Sequence, residues 1–296
     1  KSHWDRQRSR EERYAMIQYE QATSGLSVEA MCEALDVCAS GYYAWVERDV
    51  SPRQQADVRL GDEIERVFIE SRRTYGSHRV WLALREQGIR TSRKRVERLM
   101  RQRGLRSIRT RERRIGLTKA GQSAYFAPNL LNQDFSATRK NAKWVTDTTY
   151  IPTREGWLYL VSVMDLFSRQ VVGWAMGEQH DAKLATSALD MAIRRARPAA
   201  GLIVHSDRGS EFANAKFHRR AAEANICLSM SSTGNCYDNA AAESFFATVK
   251  LEAMPEGIFT SRQEARAALF DYIEVFYNRE RLHSGIGYAR PVNRAA

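Results

Sequence analysis

Apolar positions in the first 50 residues recur at helical spacing. Met31, Cys32 and Leu35 follow a capping Ser27, and a short break leads into Ser40-Gly41-Tyr42-Tyr43-Ala44-Trp45, a small helix-turn-helix shape. The same period returns with Leu60, Ile64, Val67 and Phe68 on one helix, and with Val80, Trp81 and Leu84 on another that ends at Gly88. After a turn over residues 87–91, Ser92 starts a third helix that keeps Val96, Leu99 and Met100 inward and closes at Gly104. Residues 116–136 hold Gly116, Gly121, Pro128, Asn129 and Asn132 and read as a linker. Strand-like runs follow at 144–151, 157–164 and 170–176. Helical spacing then returns at Leu184, Ala188, Met191 and Ala192, before an apolar strand, Leu202-Ile203-Val204. A helix over 217–224, a short strand over 226–230 and a long helix from near Asp238 complete the region. Three meandering strands followed by alternating helix and strand predict an α/β domain, a mixed five-stranded sheet flanked by helices, behind all-α modules.

Charge separates these segments. The net +11 is concentrated in residues 85–136, which carry 14 basic and 4 acidic side chains, while residues 1–84 carry 12 and 14. On the third helix Arg93, Lys94, Arg95, Arg98, Arg101 and Arg103 point outward, and Arg106, Arg109, Arg111, Arg113 and Arg114 follow. Solvated faces usually mix signs; 13 basic against 3 acidic residues over 85–114 instead predicts a nucleic-acid interface whose binding weakens with salt. The first module lacks that excess, so it reads either as a second DNA-binding element or as a packing module. The organisation expected is a helix-turn-helix-like module (1–52), a basic helix-turn-helix DNA-binding domain (53–115), a linker (116–136), a catalytic core (137–260) and a C-terminal helix and tail (261–296).

An acid inside an otherwise apolar strand is unusual, and Asp147 is one. Asp207 ends a strand and is followed at once by the turn Arg208-Gly209-Ser210. Glu243 lies on the long helix, where Asn239 and Lys250 share its face while Phe245 and Val249 take the opposite side. Phosphoryl transfer needs a nucleophile in line with a leaving oxygen, and two divalent ions held by carboxylates can stabilise both. Each acid alone is weak evidence; Asp165 and Asp190, which lack such neighbours, read as structural.

The motifs Trp144-Val145-Thr146-Asp147-Thr148-Thr149-Tyr150, His205-Ser206-Asp207-Arg208-Gly209-Ser210 and Gly234-Asn235-Cys236-Tyr237-Asp238-Asn239-Ala240-Ala241-Ala242-Glu243, with Lys250 and Glu252, resemble the catalytic core of bacterial insertion-sequence DDE transposases. These are relatives of retroviral integrases, and the nearest likeness is to the downstream-frame product of the two-frame elements. The resemblance covers nearly the whole chain and extends to Tyr277, Asn278, Arg281, His283, Gly287, Tyr288 and Pro291. It implies a ribonuclease H-like fold in which Asp147, Asp207 and Glu243 bind two Mg2+ ions, with Mn2+ as a substitute. Lys250 would contact DNA near the transposon end and Asn239 would support the metal site. Asn278, Arg281 and His283 would touch DNA or a neighbouring subunit, or pack the last helix. The implied activity is cleavage and strand transfer at terminal inverted repeats and target DNA, by homo-oligomers on paired ends, through a strand-joined intermediate and a circle.

Two rivals share these residues: a ribonuclease H-like nuclease or resolvase that cuts without joining, and an inert DNA-binding regulator. The longest uncharged apolar stretch, residues 156–164, falls short of the about 20 residues of a membrane helix. With no leader pattern at the N-terminus, a bacterial cytoplasmic, nucleoid-associated protein is expected. Cys32, Cys38, Cys227 and Cys236 form no zinc or disulfide pattern. The absence of an initiator methionine and of a heptad repeat points to an upstream-frame fusion or partner.

Overall fold

The computed structural model describes residues 9–48, 51–108, 126–232 and 239–295. The chain divides into two compact units, residues 1–62 and 63–296. In the first, α1 (Arg10–Ser24) opens on a capping box: the Glu12 N–H donates to Ser9 Oγ at 3.2 Å and the Ser9 N–H to Glu12 Oε2 at 2.7 Å. Ser27 caps α2 (Val28–Ala34) through the Ala30 N–H, and α3 (Ala39–Val46) follows. Tyr14, Ile17, Val28, Met31, Cys32 and Tyr42 form the core of this unit. Helix α4 (Pro52–Glu70) spans the division.

In the larger unit, α5 (Ser77–Glu86) and α6 (Arg93–Gln102) form the expected pair, with Ser92 capping α6 through the Arg95 N–H. Gly88 and Gly104 end the two helices in the left-handed region, at φ +81° and +68°, where a side chain would be strained. Trp81 Nε1 donates to the Thr91 carbonyl at 2.9 Å and ties the turn to α5.

The sheet has the order β3-β2-β1-β4-β5. Strands β1 (Lys143–Thr153), β2 (Gly156–Asp165) and β3 (Val171–Gly177) form the antiparallel meander, while β4 (Ile203–Ser206) and β5 (Cys227–Met230) add in parallel. Parallel neighbours need crossovers, which α7 (Ala182–Ala196) and α8 (Ala215–Glu223) supply. These helices bury Leu184, Ala188, Leu189, Ala192 and Phe217 with Trp144, Val163, Val204 and Met230 of the sheet. Helix α9 (Ala240–Glu252) packs against β1 and buries Ala242, Phe245, Phe246 and Val249, with the Phe245 ring edge-on to Tyr277. Helix α10 (Arg262–Asp271) runs into a π-helical stretch, Tyr272–Glu280, before α11 (Pro291–Ala295).

The described part of the expected linker does not hang free. Leu131 is buried, the Leu130 N–H donates to Ser229 Oγ at 2.8 Å, and the Met230 N–H donates to the Pro128 carbonyl. The physical reason is β5, an edge strand whose unpaired backbone groups take partners from this segment. Residues 116–125 of that segment, with Gly116 and Gly121, lie outside the described residues, as do Arg109, Arg111, Arg113, Arg114 and Cys236.

Candidate active site

The register of β1 on β4 sets the geometry. Val145 stands opposite His205 in a parallel ladder. Asp147 follows Val145 by two residues and Asp207 follows His205 by two, and side chains alternate with period two, so the two acids leave neighbouring strands at matching heights. The Thr148 N–H donates to Asp147 Oδ1 at 2.7 Å, and the Gly209 N–H to Asp207 Oδ1 at 2.9 Å. Burial pushes the Asp147 pKa well above the usual carboxylate range, and the negative charges of Asp207, Glu211 and Glu243 push it further against the Thr148 N–H. Asp207 is raised as well, by burial first and then by Glu211.

Glu243 reaches this cluster from α9, whose apolar face is fixed on β1. Asn239 is buried at the start of the same helix, where its Nδ2 donates to the Thr146 carbonyl at 3.4 Å and its Oδ1 has no hydrogen-bond partner among the described residues. Desolvation lowers the pKa of Lys250, one face along, while Asp147 opposes that shift. Asp147 from β1, Asp207 from the turn after β4, and Asn239, Glu243 and Lys250 from the start and body of α9 thus gather beside the C-terminal end of β4.

Glu211 was not singled out by the sequence reading and belongs to the same cluster. It is 4% exposed, and its Oε1 accepts from Thr148 Oγ1 at 2.9 Å and from His180 Nε2 at 2.6 Å. The His180 ring stacks on Tyr159, with centroids 5.4 Å apart and planes 8° apart. The signal in the sequence is an acid four positions after Asp207, just past a glycine turn that folds the chain back toward the strand end.

Among the described residues, no group of three or more His, Cys, Asp or Glu side chains is arranged to hold a metal ion as the side chains stand. The donor set nevertheless suits a hard divalent cation: the carboxylates of Asp207, Glu211 and Glu243 all act on Asp147, and the buried acceptors Glu211 Oε2 and Asn239 Oδ1 lack hydrogen-bond partners among the described residues. Like charges gathered in this way raise the proton affinity of Asp147, and a divalent cation is the natural relief. Asp165 is structural: its side chain accepts from the Asn141 and Ser168 N–H groups and from Ser168 Oγ. Asp190 pairs with Arg220.

On α6, Arg93, Lys94 and Arg101 are exposed and Arg95 and Arg98 partly so, opposite buried Val96, Leu99 and Met100. Arg98 donates to Gln102 Oε1 at 3.1 Å, and Arg101 lies 3.4 Å from Glu97. Arg103, expected to face outward with them, turns back to Glu65 on α4 at 2.9 Å, because it sits past the helix end within reach of that carboxylate.

The C-terminal polar group takes the packing role of its expected alternatives. Arg281 is buried and donates twice to Glu252, at 2.7 and 2.8 Å, and Tyr272 Oη donates to the same carboxylate at 2.7 Å. His283 is buried edge-on against Tyr277, with ring centroids 4.5 Å apart. Asn278 is spent on the β3 backbone, accepting from the Val171 N–H at 2.9 Å and donating to its carbonyl at 3.0 Å. None of the three side chains faces solvent.

A mixed sheet with one acid within a strand, a second just past the end of the parallel strand beside it and a third on a helix packed against them is the architecture of an integrase-type catalytic core. Residues 137–236 match the integrase core domain family, residues 224–291 a second integrase core domain family, and residues 55–113 an HTH-like domain. The chain is 44% identical over 261 residues to a 31 kDa protein of insertion element IS600 from Shigella sonnei, covering 88% of this chain and 96% of that one. It is 40% identical over 284 residues to transposase InsF of IS3A from Escherichia coli K12, covering 94% and 96%. Among solved structures, the HTLV-2 integrase catalytic core domain in complex with magnesium aligns with 54% of this chain and 100% of its own, at 16% identity and TM-score 0.42. The simian T-cell lymphotropic virus intasome aligns with 69% and 66%, at 14% identity and TM-score 0.41. The chain belongs to the insertion-sequence transposases of the IS3 family. Among the described residues, no helix is long and apolar enough to cross a membrane.

Proposed function

We propose that this chain cuts and rejoins DNA at the ends of its insertion sequence, with Asp147, Asp207 and Glu243 as the catalytic acids. The observation that carries the reading is the parallel register that sets Asp147 and Asp207 at matching heights, with the charge of Glu243 reaching Asp147 from α9. The three carboxylates would hold two magnesium ions, with manganese as a substitute, and these would activate the attacking oxygen and neutralise charge on the leaving one. Such a site needs no covalent protein intermediate, so one set of acids serves two steps: water frees a 3′-hydroxyl, and that hydroxyl attacks a second phosphodiester.

The chain's own residues orient the DNA. The Lys250 ammonium, beside Asp147, neutralises a backbone phosphate near the reacting one, and Asn239 anchors the start of α9 to β1. Arg93, Lys94, Arg95, Arg98 and Arg101 supply the phosphate contacts that hold α6 on the terminal inverted repeats. Copies acting on paired element ends and on target DNA complete the reading. Arg281 and His283 are left out of the DNA contacts because they are buried.

The test incubates purified protein with labelled terminal-repeat DNA and magnesium and compares Asp147→Asn, Asp207→Asn and Glu243→Gln. Each variant is expected to lose at least about a hundredfold in strand joining while still shifting the DNA in a gel. Joining by all three variants overturns the assignment. Cut products without newly linked strands would instead make the protein a nuclease, and DNA binding without any metal-dependent cleavage would make it a regulator.

A further inference from the structure

We infer that Glu211 is a fourth carboxylate ligand of the divalent-cation site, offering its Oε2 beside Asp207. This rests on the cation-dependent reading above and adds to it a residue outside the three acids. The two oxygens of Glu211 are treated differently by the fold. Oε1 is fully engaged by Thr148 and His180, whereas Oε2 is buried and has no hydrogen-bond partner among the described residues. A carboxylate kept only for structure would be expected to satisfy both oxygens, because an unpaired buried acceptor forfeits its hydration without return.

The position of Oε2 indicates what it awaits. A Cβ built on Gly209 would lie 2.5 Å from Glu211 Oε2 and 3.0 Å from Asp207 Oδ1, so both oxygens crowd the same backbone point and a larger residue there would push these side chains aside. The next residues, Phe212 and Ala213, are buried and their N–H groups bond the Gly209 carbonyl, which fixes the turn carrying Glu211. The donors to this pair reach Asp207 Oδ1 and Glu211 Oε1 and leave Glu211 Oε2 without a hydrogen-bond partner among the described residues, and a hard oxygen-seeking cation is the ligand class that suits it. His180 and Thr148 then act as positioning residues: they hold Oε1 so that Oε2 keeps its aim, as hydrogen-bonded partners of a ligating carboxylate do. The Tyr159 ring under His180 fixes that donor in turn.

The experiment measures Mn2+ binding to the full chain without DNA, by electron paramagnetic resonance of the free ion, for wild type, Glu211→Gln and Asp147→Asn. Glu211→Gln keeps an acceptor for His180 and Thr148 and removes the charge. It is expected to weaken Mn2+ affinity at least about tenfold, with an unchanged circular dichroism spectrum. Wild-type affinity in Glu211→Gln, with binding lost in Asp147→Asn, overturns the inference and leaves the proposed function standing. No Mn2+ binding by the wild type overturns both. Should Glu211→Gln not fold, Glu211→Asp, which withdraws the carboxylate by one methylene, must show the same loss, and wild-type affinity there overturns the inference equally.

Discussion

The larger unit contains two groups of buried acids, built in opposite ways. Around Glu252, charge is matched: Arg281 donates twice, Tyr272 donates once, and both side chains of the ion pair are under a tenth exposed. Around Asp147, three further carboxylates raise its proton affinity, and the nearby ammonium of Lys250 is itself depressed by desolvation. The first arrangement joins α9 to the C-terminal segment. The second gathers unmatched negative charge, and groups perturbed in this way cluster at functional sites. Both lie within reach of α9, so the same helix is anchored by matched charge at one end and presents unmatched charge at the other.

The sharpest way to break this comparison is to remove one partner from each group. Arg281→Met leaves Glu252 buried and uncompensated and is expected to cost about 3–5 kcal/mol, measured by denaturant unfolding. Adding Glu252→Gln should recover part of that loss. Asp147→Asn in metal-free protein should do the reverse and raise the unfolding midpoint slightly. A destabilised Asp147→Asn together with a neutral Arg281→Met would dissolve the contrast.

A second test uses pH. Burial, helped by the Arg281 charge, lowers the His283 pKa from 6.5 to about 3. Above 6.5 the imidazole is neutral in both folded and unfolded chains. As the pH falls below that value, the unfolded chain takes up a proton that the folded chain refuses. Stability is therefore lost by about 1.4 kcal/mol per pH unit until the folded value is reached. His283→Gln should flatten this slope in unfolding midpoints taken between pH 7 and pH 4, and equal slopes in the two proteins would refute the assignment.

The smallest expected effect lies on α6. Arg93→Ala and Lys94→Ala should each weaken terminal-repeat binding and lower the slope of log affinity against log salt by about 1. Slopes unchanged by either substitution would move the phosphate contacts off this helix.

Much of this architecture is legible in the sequence because it depends on local chemistry. Ser27 and Ser92 mark helix starts and Gly88 and Gly104 mark ends, and three strand-like runs mark the meander, each within a few residues of the observed bounds. Asp147 was legible as an acid inside an apolar strand, and Asp207 and Glu243 through the motifs around them, which are local in the chain. Glu211 was not, since its place depends on a turn returning it to Thr148, 63 residues earlier, and on a histidine 31 residues before it. Arg281 and His283 were legible as polar but not as buried, because the decisive partner of Arg281, Glu252, is 29 positions away on another helix. The packing of residues 126–136 was not legible for a similar reason: Asn129 and Asn132 report local turns and say nothing about the sheet edge that Pro128 and Leu130 cover.

The amide of Asn278 does the work of an entire neighbouring strand at one point on β3, meeting both backbone groups of Val171. A chain cut short before Tyr272 would leave that rim bare, and bare rims recruit strands from other molecules. Shortened products of the gene are therefore expected in the insoluble fraction long before their chemistry could be assayed.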